Sequence, residues 1–117
     1  MKNYDKIKAN GDFHRIYNRG KSFVGPMIVT YTAKGRKDRV RLGITATKKL
    51  GGAVERNRAK RVITAAFREC LPYIQKGTDM VIVARVRILS VKSTQVAAIL
   101  RKQLKTAGLW CEDESCE

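Results

Sequence analysis

The sequence predicts an α+β domain whose elements follow in the order α-β-β-β-α-β-α. Residues 39–47 alternate apolar and polar side chains, which is typical of a half-buried strand. Residues 53–71 repeat apolar side chains at the helical period, and the helix is expected to end before Pro72. Residues 80–84 form an unbroken apolar run, which favours a strand at the centre of a sheet. The length of 117 residues suits one domain with one modest core.

The first helix is predicted from a start signal, an apolar face and a stop signal. Asn10-Gly11-Asp12 is typical of a helix start, and Gly20 is typical of a helix end. Between them, three large apolar side chains recur at helical spacing: Phe13, Ile16 and Tyr17. We therefore expect a short helix that carries an aromatic face.

Two strand segments separated by a turn are predicted next. Residues 23–32 suit a strand that Gly25-Pro26 divides into two pieces. The polar segment 34–38 predicts a turn, and the alternating strand at residues 39–47 follows it. We expect the strands on either side of this turn to pair as a hairpin.

The C-terminal half is predicted to contain a loop at residues 48–52, the long helix, the apolar strand and a last helix. Ser93 or Thr94 is expected to cap the last helix, and Gly108 to end it. Its predicted inner face consists of Val96, Ile99, Leu100 and Leu104. We expect residues 1–110 to form one domain and the acidic residues 111–117 to form a disordered tail.

The charge of the chain indicates a polyanionic partner. Its 25 Lys and Arg side chains outnumber ten Asp and Glu, for a formal net charge of +15. Residues 1–111 alone carry +19, from 25 basic and six acidic side chains. A compact domain with this charge repels itself unless a polyanion neutralises it, and binding to nucleic acid also releases counterions. The alternative is a basic surface that merely keeps the protein soluble.

The sequence does not indicate membrane association. Charged residues interrupt the N-terminal segment, so we expect no secretory signal: Lys2, Asp5, Lys6 and Lys8. We find no apolar run of transmembrane length, no basic anchor helix and no lipidation signal. We therefore expect a cytoplasmic protein with no membrane partner.

The long helix divides into an apolar face and a basic face. The apolar side chains fall within roughly 140° of the helical wheel, and we expect them in the core: Ala59, Val62, Ile63, Ala66, Phe67 and Cys70. The opposite arc holds Asn57, Arg58, Lys60, Arg61, Thr64 and Arg68. Guanidinium groups suit bidentate phosphate contacts, and Asn57 suits a ribose hydroxyl, a base edge or a water. The alternative is a solvated face, although such faces usually mix charges of both signs.

No catalytic or metal-binding constellation is evident. His14 is the single histidine, and four acids outside the long helix and the tail fall in separate elements: Asp5, Asp12, Asp38 and Asp79. Cys111 and Cys116 lack the neighbouring ligands that a zinc site needs. We therefore predict no catalytic residue and no metal ligand in the chain, which disfavours a self-sufficient nuclease.

Several segments together resemble the bacterial ribonuclease P protein family. Arg56-Asn57-Arg58 followed by Lys60-Arg61 resembles the signature helix of that family. The stretch Arg41–Lys49 resembles its third strand with a Lys-Lys exit, and Asp79–Arg85 resembles its fourth strand. The match runs in order from about Lys6 to about Leu104, although Tyr17 and Ile28 stand where the family commonly has Phe.

The resemblance implies an α/β sandwich with a mixed four-stranded sheet and a left-handed β-α-β crossover, against the general right-handed rule. It also implies a non-catalytic protein subunit of an endoribonuclease, working without any other protein partner. The family's catalytic RNA, with Mg²⁺ bound mainly by that RNA, removes the 5′ leader of precursor tRNA. The competing interpretation is a ribosomal or rRNA-assembly protein, which binds folded RNA without processing it.

Two sets of site residues follow from the resemblance. The catalytic RNA is expected to contact Lys48, Lys49, Arg56, Asn57, Arg58, Lys60, Arg61 and Arg68. Single-stranded leader is expected in a cleft lined by Phe13, Tyr17 and Tyr31. Aromatic side chains can stack on unpaired bases with little sequence preference, which agrees with this role. Core packing is the alternative for Phe13 and Tyr17.

Overall fold

The computed structural model describes residues 3–112 and folds them into one mixed sheet with helices on both faces. The strands are β1 (Asp5–Lys6), β2 (Lys21–Val24), β3 (Ile28–Lys34), β4 (Val40–Thr45) and β5 (Thr78–Ala84). The helices are α1 (Asn10–Arg19), α2 (Ala53–Cys70) and α3 (Ser93–Ala107). The α+β class and the order of the predicted elements are confirmed. No helix within residues 3–112 has the length and apolar character needed to cross a bilayer.

The strand order is β1-β4-β5-β3-β2, with the apolar strand β5 at the centre as predicted. The predicted count of four strands is wrong, because Asp5 and Lys6 pair in parallel with Arg41 and Leu42 and so add a fifth. Two consecutive residues are too short a segment for an alternation pattern to reveal. β4 and β5 are parallel neighbours, so α2 forms a crossover connection between them. The left-handedness of this crossover stays a prediction.

The predicted hairpin between β3 and β4 is also wrong, because β5 lies between these two strands. The hairpin is instead formed by β2 and β3. The turn at residues 34–38 passes over the start of β5: Gly35 N–H donates to Gly77 O at 2.8 Å, and Gly77 N–H donates to Arg39 O at 2.7 Å. A strand whose two faces are both buried is most stable at the centre of the sheet, and this requirement separates β3 from β4.

The larger core lies between one face of the sheet and the helices α2 and α3. The predicted apolar face of α2 is confirmed, since Ala59, Ile63, Ala66, Phe67 and Cys70 are buried and Val62 is partly buried. Each large side chain contributes about 1.5–3 kcal/mol on burial, so this face fixes the rotation of α2 about its axis. The opposite face of α2 must therefore point to solvent.

The start of α3 differs from the prediction. Neither Ser93 nor Thr94 caps the helix, because Lys92 occupies the capping position. The backbone N–H of Lys92 donates to Gln95 Oε1 at 3.0 Å, so the Gln95 side chain bonds back to the start of the helix in place of the expected hydroxyl cap. The predicted inner face is confirmed, with Val96, Leu100 and Leu104 buried and Ile99 partly buried.

Helix α1 packs alone on the other face of the sheet. Its core contact is small: Ile16 is buried against Val81 and Ile7, with aromatic side chains of α1 and β3 packed around them. This face of the sheet is therefore left partly open beside α1. Both faces that the sequence indicated for RNA, the solvent side of α2 and the aromatic side of α1, are positioned by these two cores.

Candidate nucleic-acid interface

The solvent face of α2 and the turn before it form a basic surface. Lys48 and Lys49 lie in a 3-10 turn at Lys48–Leu50, which replaces the predicted loop and leads into α2 through Gly51 and Gly52. Most of the predicted RNA-binding side chains are exposed, and Arg56 is half-buried. We call this set the α2 basic face: Lys48, Lys49, Arg56, Asn57, Arg58, Lys60, Arg61 and Arg68.

The cations of the α2 basic face lack carboxylate partners. Among residues 3–112, none of its seven Lys and Arg side chains forms an ion pair, although Glu55 and Glu69 lie on the same helix. Uncompensated like charges on neighbouring turns of a helix cost stability. The positive potential of such a face attracts an anion that is not part of the chain.

A shallow groove of about 470 Å³ runs along this face. Its lining consists of Lys60, Arg61, Thr64, Ala65 and Arg68. Three of the five lining side chains are long cations, and the other two, Thr64 and Ala65, are small. A groove of this shape can hold phosphate groups between guanidinium and ammonium donors.

A second groove, of about 450 Å³, lies between α1 and the end of β4. We call it the aromatic groove, and its lining consists of Asn10, Phe13, His14, Tyr17, Ile44, Thr45, Ala46 and Lys60. Phe13 and Tyr17 are both half-buried, so each presents part of its ring to solvent. An open groove with exposed ring surface can stack unpaired bases.

The aromatic side chains of this region support one another. The ring centroids of Phe13 and Tyr17 are 6.3 Å apart, and Tyr17 meets Tyr31 edge-on at 4.9 Å. The hydroxyl of Tyr17 is hydrogen-bonded to Thr45 Oγ1 at 2.7 Å, a contact that the Phe common in the resembled family would lack. Tyr31 lies behind Tyr17 and does not line the groove, so its geometry is that of a support.

Gly43 of β4 makes room for the ring of Phe13. A Cβ atom at position 43 would lie 2.8 Å from the Phe13 ring, closer than real Cβ contacts allow. The ring therefore rests directly on the backbone of the sheet. Core packing, the alternative that the sequence left open for Phe13 and Tyr17, and exposure in the groove coexist, because one part of each ring is buried and another part lines the groove.

Lys60 lines both grooves and joins them into one continuous surface. Its position on the helical wheel indicated the basic face of α2, but the sequence did not show that α1 and β4 lie beside it. His14 and Asn10 are groove residues that the sequence analysis did not select. The residue pattern offered little reason to select His14, since a lone His beside an aromatic residue more often lies on an ordinary surface.

A buried carboxylate anchors α1 on the sheet beside the groove. Asp79 of β5 accepts hydrogen bonds from Arg41 Nε and Nη2, each at 3.0 Å, and from Arg15 Nη2. Burial alone would raise the pKa of Asp79, but the hydrogen bonds from Arg41 and Arg15 outweigh it and hold the pKa below its ordinary value. The hydrogen bond to Asp79 also raises the pKa of Arg41, so this ion pair stays charged.

The acidic, histidine and cysteine side chains of the described residues do not gather into a three-ligand cluster. Within residues 3–112, no three His, Cys, Asp or Glu side chains come together in a way that could hold a metal ion. The fold does bring Asp12 and Asp79 close together, but Arg41 binds both carboxylates. Burial raises the pKa of the Cys70 thiol to about 12, so Cys70 stays protonated in the core.

Comparisons with known proteins point to one family. A model of the family described as Ribonuclease P matches residues 1–108. The ribonuclease P protein component of Clostridium beijerinckii is 38% identical over 116 residues, and the match covers 93% of each chain. The corresponding protein of Staphylococcus haemolyticus is 39% identical over 109 residues, covering 90% of this chain and 91% of that relative.

Solved structures of ribonuclease P proteins share the fold. The Staphylococcus aureus protein superposes with a TM-score of 0.79 at 36% identity, covering 92% of this chain and 99% of the other. The Thermotoga maritima protein gives a TM-score of 0.77 at 31% identity, covering 87% of this chain and 96% of the other. Since sequence and fold both match over most of either chain, the likeness extends to the whole domain.

Proposed function

This chain belongs to the ribonuclease P protein family and is a protein component of that endoribonuclease, and we propose that it serves the enzyme through two adjoining RNA-binding surfaces. Its partner is the ribonuclease P RNA. The α2 basic face binds this catalytic RNA, and the aromatic groove binds the single-stranded 5′ leader of precursor tRNA. A cytoplasmic location, where precursor tRNA is made, is part of the same proposal.

The observation that carries the proposal is the unpaired basic face beside an open aromatic groove. Structured RNA is recognised largely through its phosphates and shape, which suits a row of cations such as Arg58, Arg61 and Arg68. Unpaired bases instead need flat side chains to stack on, and Phe13 and Tyr17 supply them. Each surface therefore fits a different part of a ribonucleoprotein complex.

In this proposal the polypeptide supplies binding and the RNA supplies the chemistry. Hydrolysis of a phosphodiester bond needs an activated water and stabilised charge, and Mg²⁺ ions held mainly by the RNA provide both. The cations on the α2 basic face neutralise RNA phosphates, which lowers the electrostatic cost of bringing RNA and substrate together. We therefore expect processing with the protein to need less Mg²⁺ than processing by the RNA alone.

Reconstitution with a ribonuclease P RNA from a related bacterium tests this function. The protein alone should leave precursor tRNA intact, and the mixture should cut at the mature 5′ end at a Mg²⁺ concentration where the RNA alone is nearly inactive. A matched sample with heat-denatured protein controls for nuclease contamination. Cleavage by the protein without RNA, or no shift in the Mg²⁺ requirement, would contradict the proposal.

A further inference from the structure

Four side chains around α1 form a connected ion-pair network outside the two binding surfaces. Asp79 lies at its centre with a side chain that is 2% exposed. Arg41 joins Asp79 to Asp12, with its Nη2 atom 3.2 Å from Asp12 Oδ1. Arg15 also contacts both acids and donates through Nη1 to Lys34 O at 3.2 Å. The network thus ties α1 to three neighbouring strands, β3, β4 and β5.

The network and the aromatic side chains occupy opposite flanks of α1. Ile16 points into the sheet and is fully buried. At about 100° per residue, Phe13 and Tyr17 lie on one side of Ile16, and Asp12 and Arg15 lie on the other. A rotation of α1 about its axis would therefore move both rings relative to Gly43 and Thr45, which they now contact.

Apolar packing alone leaves this rotation weakly determined. The fully buried cluster under α1 contains three residues, Ile7, Ile16 and Val81, whereas α2 and α3 share a far larger core. Room for the carboxylate comes from Gly35, where a Cβ atom would lie 2.2 Å from Asp79 Oδ1. The bidentate contact of Arg41 with Asp79 joins β4 to β5 and orients the carboxylate. Two contacts then tie α1 to this pair, from Arg15 to Asp79 and from Arg41 to Asp12, and they oppose rotation of the helix.

We propose that Asp79 is a positioning residue for leader binding: through Arg15 and Arg41 it sets the rotation of α1 and so places Phe13 and Tyr17 in the aromatic groove. Asp79 does not line that groove, so its effect on RNA is indirect. The inference rests on the proposed function, because leader binding gives the positioning its purpose. It adds a residue that neither the charge pattern nor the groove identifies.

The test compares folded variants in the reconstituted holoenzyme. Asp79→Asn keeps the shape of the side chain and removes its charge, and Arg15→Gln removes the same contact from the helix side. The measured quantity is the ratio of affinities for precursor tRNA with a leader and for the same tRNA without one. We expect this ratio to fall about tenfold in both variants, with affinity for the catalytic RNA unchanged. Arg15→Lys should recover most of the ratio.

Asp5→Asn is the matched control, since it removes an acid from an exposed ion pair with Arg39 and should leave the ratio unchanged. A second readout is independent of RNA: proton NMR contacts between the Phe13 ring and Gly43 Hα should weaken in Asp79→Asn and Arg15→Gln. If Asp79→Asn fails to fold, Arg15→Gln and Arg15→Lys carry the comparison.

The possible results distinguish a failure of the positioning role from a failure of the proposed function. Folded variants that keep both the wild-type ratio and the Phe13–Gly43 contact would overturn the positioning role. A wild-type holoenzyme without any leader preference would instead contradict the proposed function, and the NMR contact would still decide whether Asp79 orients α1. A loss of affinity for the catalytic RNA in Arg15→Gln equal to its loss for substrate would also overturn the inference.

Discussion

Arginine occurs in two opposite settings in this molecule. Beside α1, Arg15 and Arg41 surround the buried Asp79 and are held by hydrogen bonds on several sides. On α2, Arg58, Arg61 and Arg68 are exposed and form no ion pair within residues 3–112. The charges of the first group are neutralised by carboxylates inside the protein, whereas the second group needs an external anion.

The difference shows how to separate a structural cation from a binding one. Removing the partner of a buried, paired charge should destabilise the fold, because the remaining charge is left without compensation. Removing an unpaired surface charge should leave the fold intact, because little is lost and some repulsion is relieved. Mutation of the paired group should therefore lower the stability of the fold. Mutation of the unpaired group should lower the affinity for RNA and leave the stability nearly unchanged.

The largest expected effect is on stability, from Asp79→Asn. This change leaves Arg15 and Arg41 facing a neutral amide, and we expect the free energy of unfolding to fall by about 2–3 kcal/mol. The figure is below that of a fully buried pair because a third of the Arg15 side chain is exposed. Urea unfolding at pH 7 measures it, and a loss below 0.5 kcal/mol would show that the network contributes little.

Acid should reduce the difference in unfolding free energy between the wild-type protein and Asp79→Asn. The pKa of Asp79 is lower in the folded chain than its ordinary value, so the contribution of the ion pair is complete above about pH 4–5. It is lost as the pH falls through the folded pKa, where the carboxylate becomes protonated. The difference in unfolding free energy between the two proteins should begin to shrink near the ordinary Asp pKa of about 4 and close only below the lower folded pKa. Unfolding curves at a series of pH values measure it, and a constant difference down to strong acid would contradict the assigned cause.

The next effect concerns the aromatic groove. Phe13→Ala removes a stacking ring, and we expect affinity for precursor tRNA with a leader to fall about 5- to 20-fold. Mature tRNA and the catalytic RNA should bind as before, which equilibrium binding with labelled RNAs would show. Val24→Ala is a control, because Val24 is an apolar side chain that is 73% exposed outside the groove. Equal losses for the leader-containing and mature substrates would place Phe13 in general packing instead.

The smallest expected effect is the change in protein stability when cations of the α2 basic face are removed. Arg61→Ala with Arg68→Ala should change the free energy of unfolding by less than about 0.5 kcal/mol, because neither side chain has an ion-pair partner to lose. Urea unfolding beside the Asp79→Asn variant makes the comparison direct. A loss near that of Asp79→Asn would mean that Arg61 or Arg68 has a structural role.

The sequence predicted local patterns well. The apolar period of α2 places Phe67 in the core and leaves Arg61 outside, because both follow from the geometry of one helix. The interruption at Gly25-Pro26 likewise separates β2 from β3 where the structure does. Each of these predictions depends on neighbours within a few residues along the chain.

Residue patterns alone did not predict the contacts between distant segments; the proximity of Tyr17 and Tyr31 was expected only from the family resemblance. Arg41 and Arg15 reach Asp79 across 38 and 64 positions of sequence, and β5 inserts between strands that adjoin in the chain. One signal was available: Asp79 directly precedes an apolar run expected at the centre of the sheet, where an acid needs a cationic partner. Which cation it binds, and that Lys60 borders the aromatic groove, depend on the tertiary fold.

The salt dependence of binding to the catalytic RNA tests the central claim most directly. We compare wild type, Arg61→Ala with Arg68→Ala, and the control Lys102→Ala, whose exposed side chain lies on α3. If the α2 basic face contacts RNA phosphates, the double variant should bind about 10- to 100-fold more weakly, and its slope of log affinity against log salt should fall by about two. Wild-type affinity and slope in the double variant, or an equal change in Lys102→Ala, would contradict the claim.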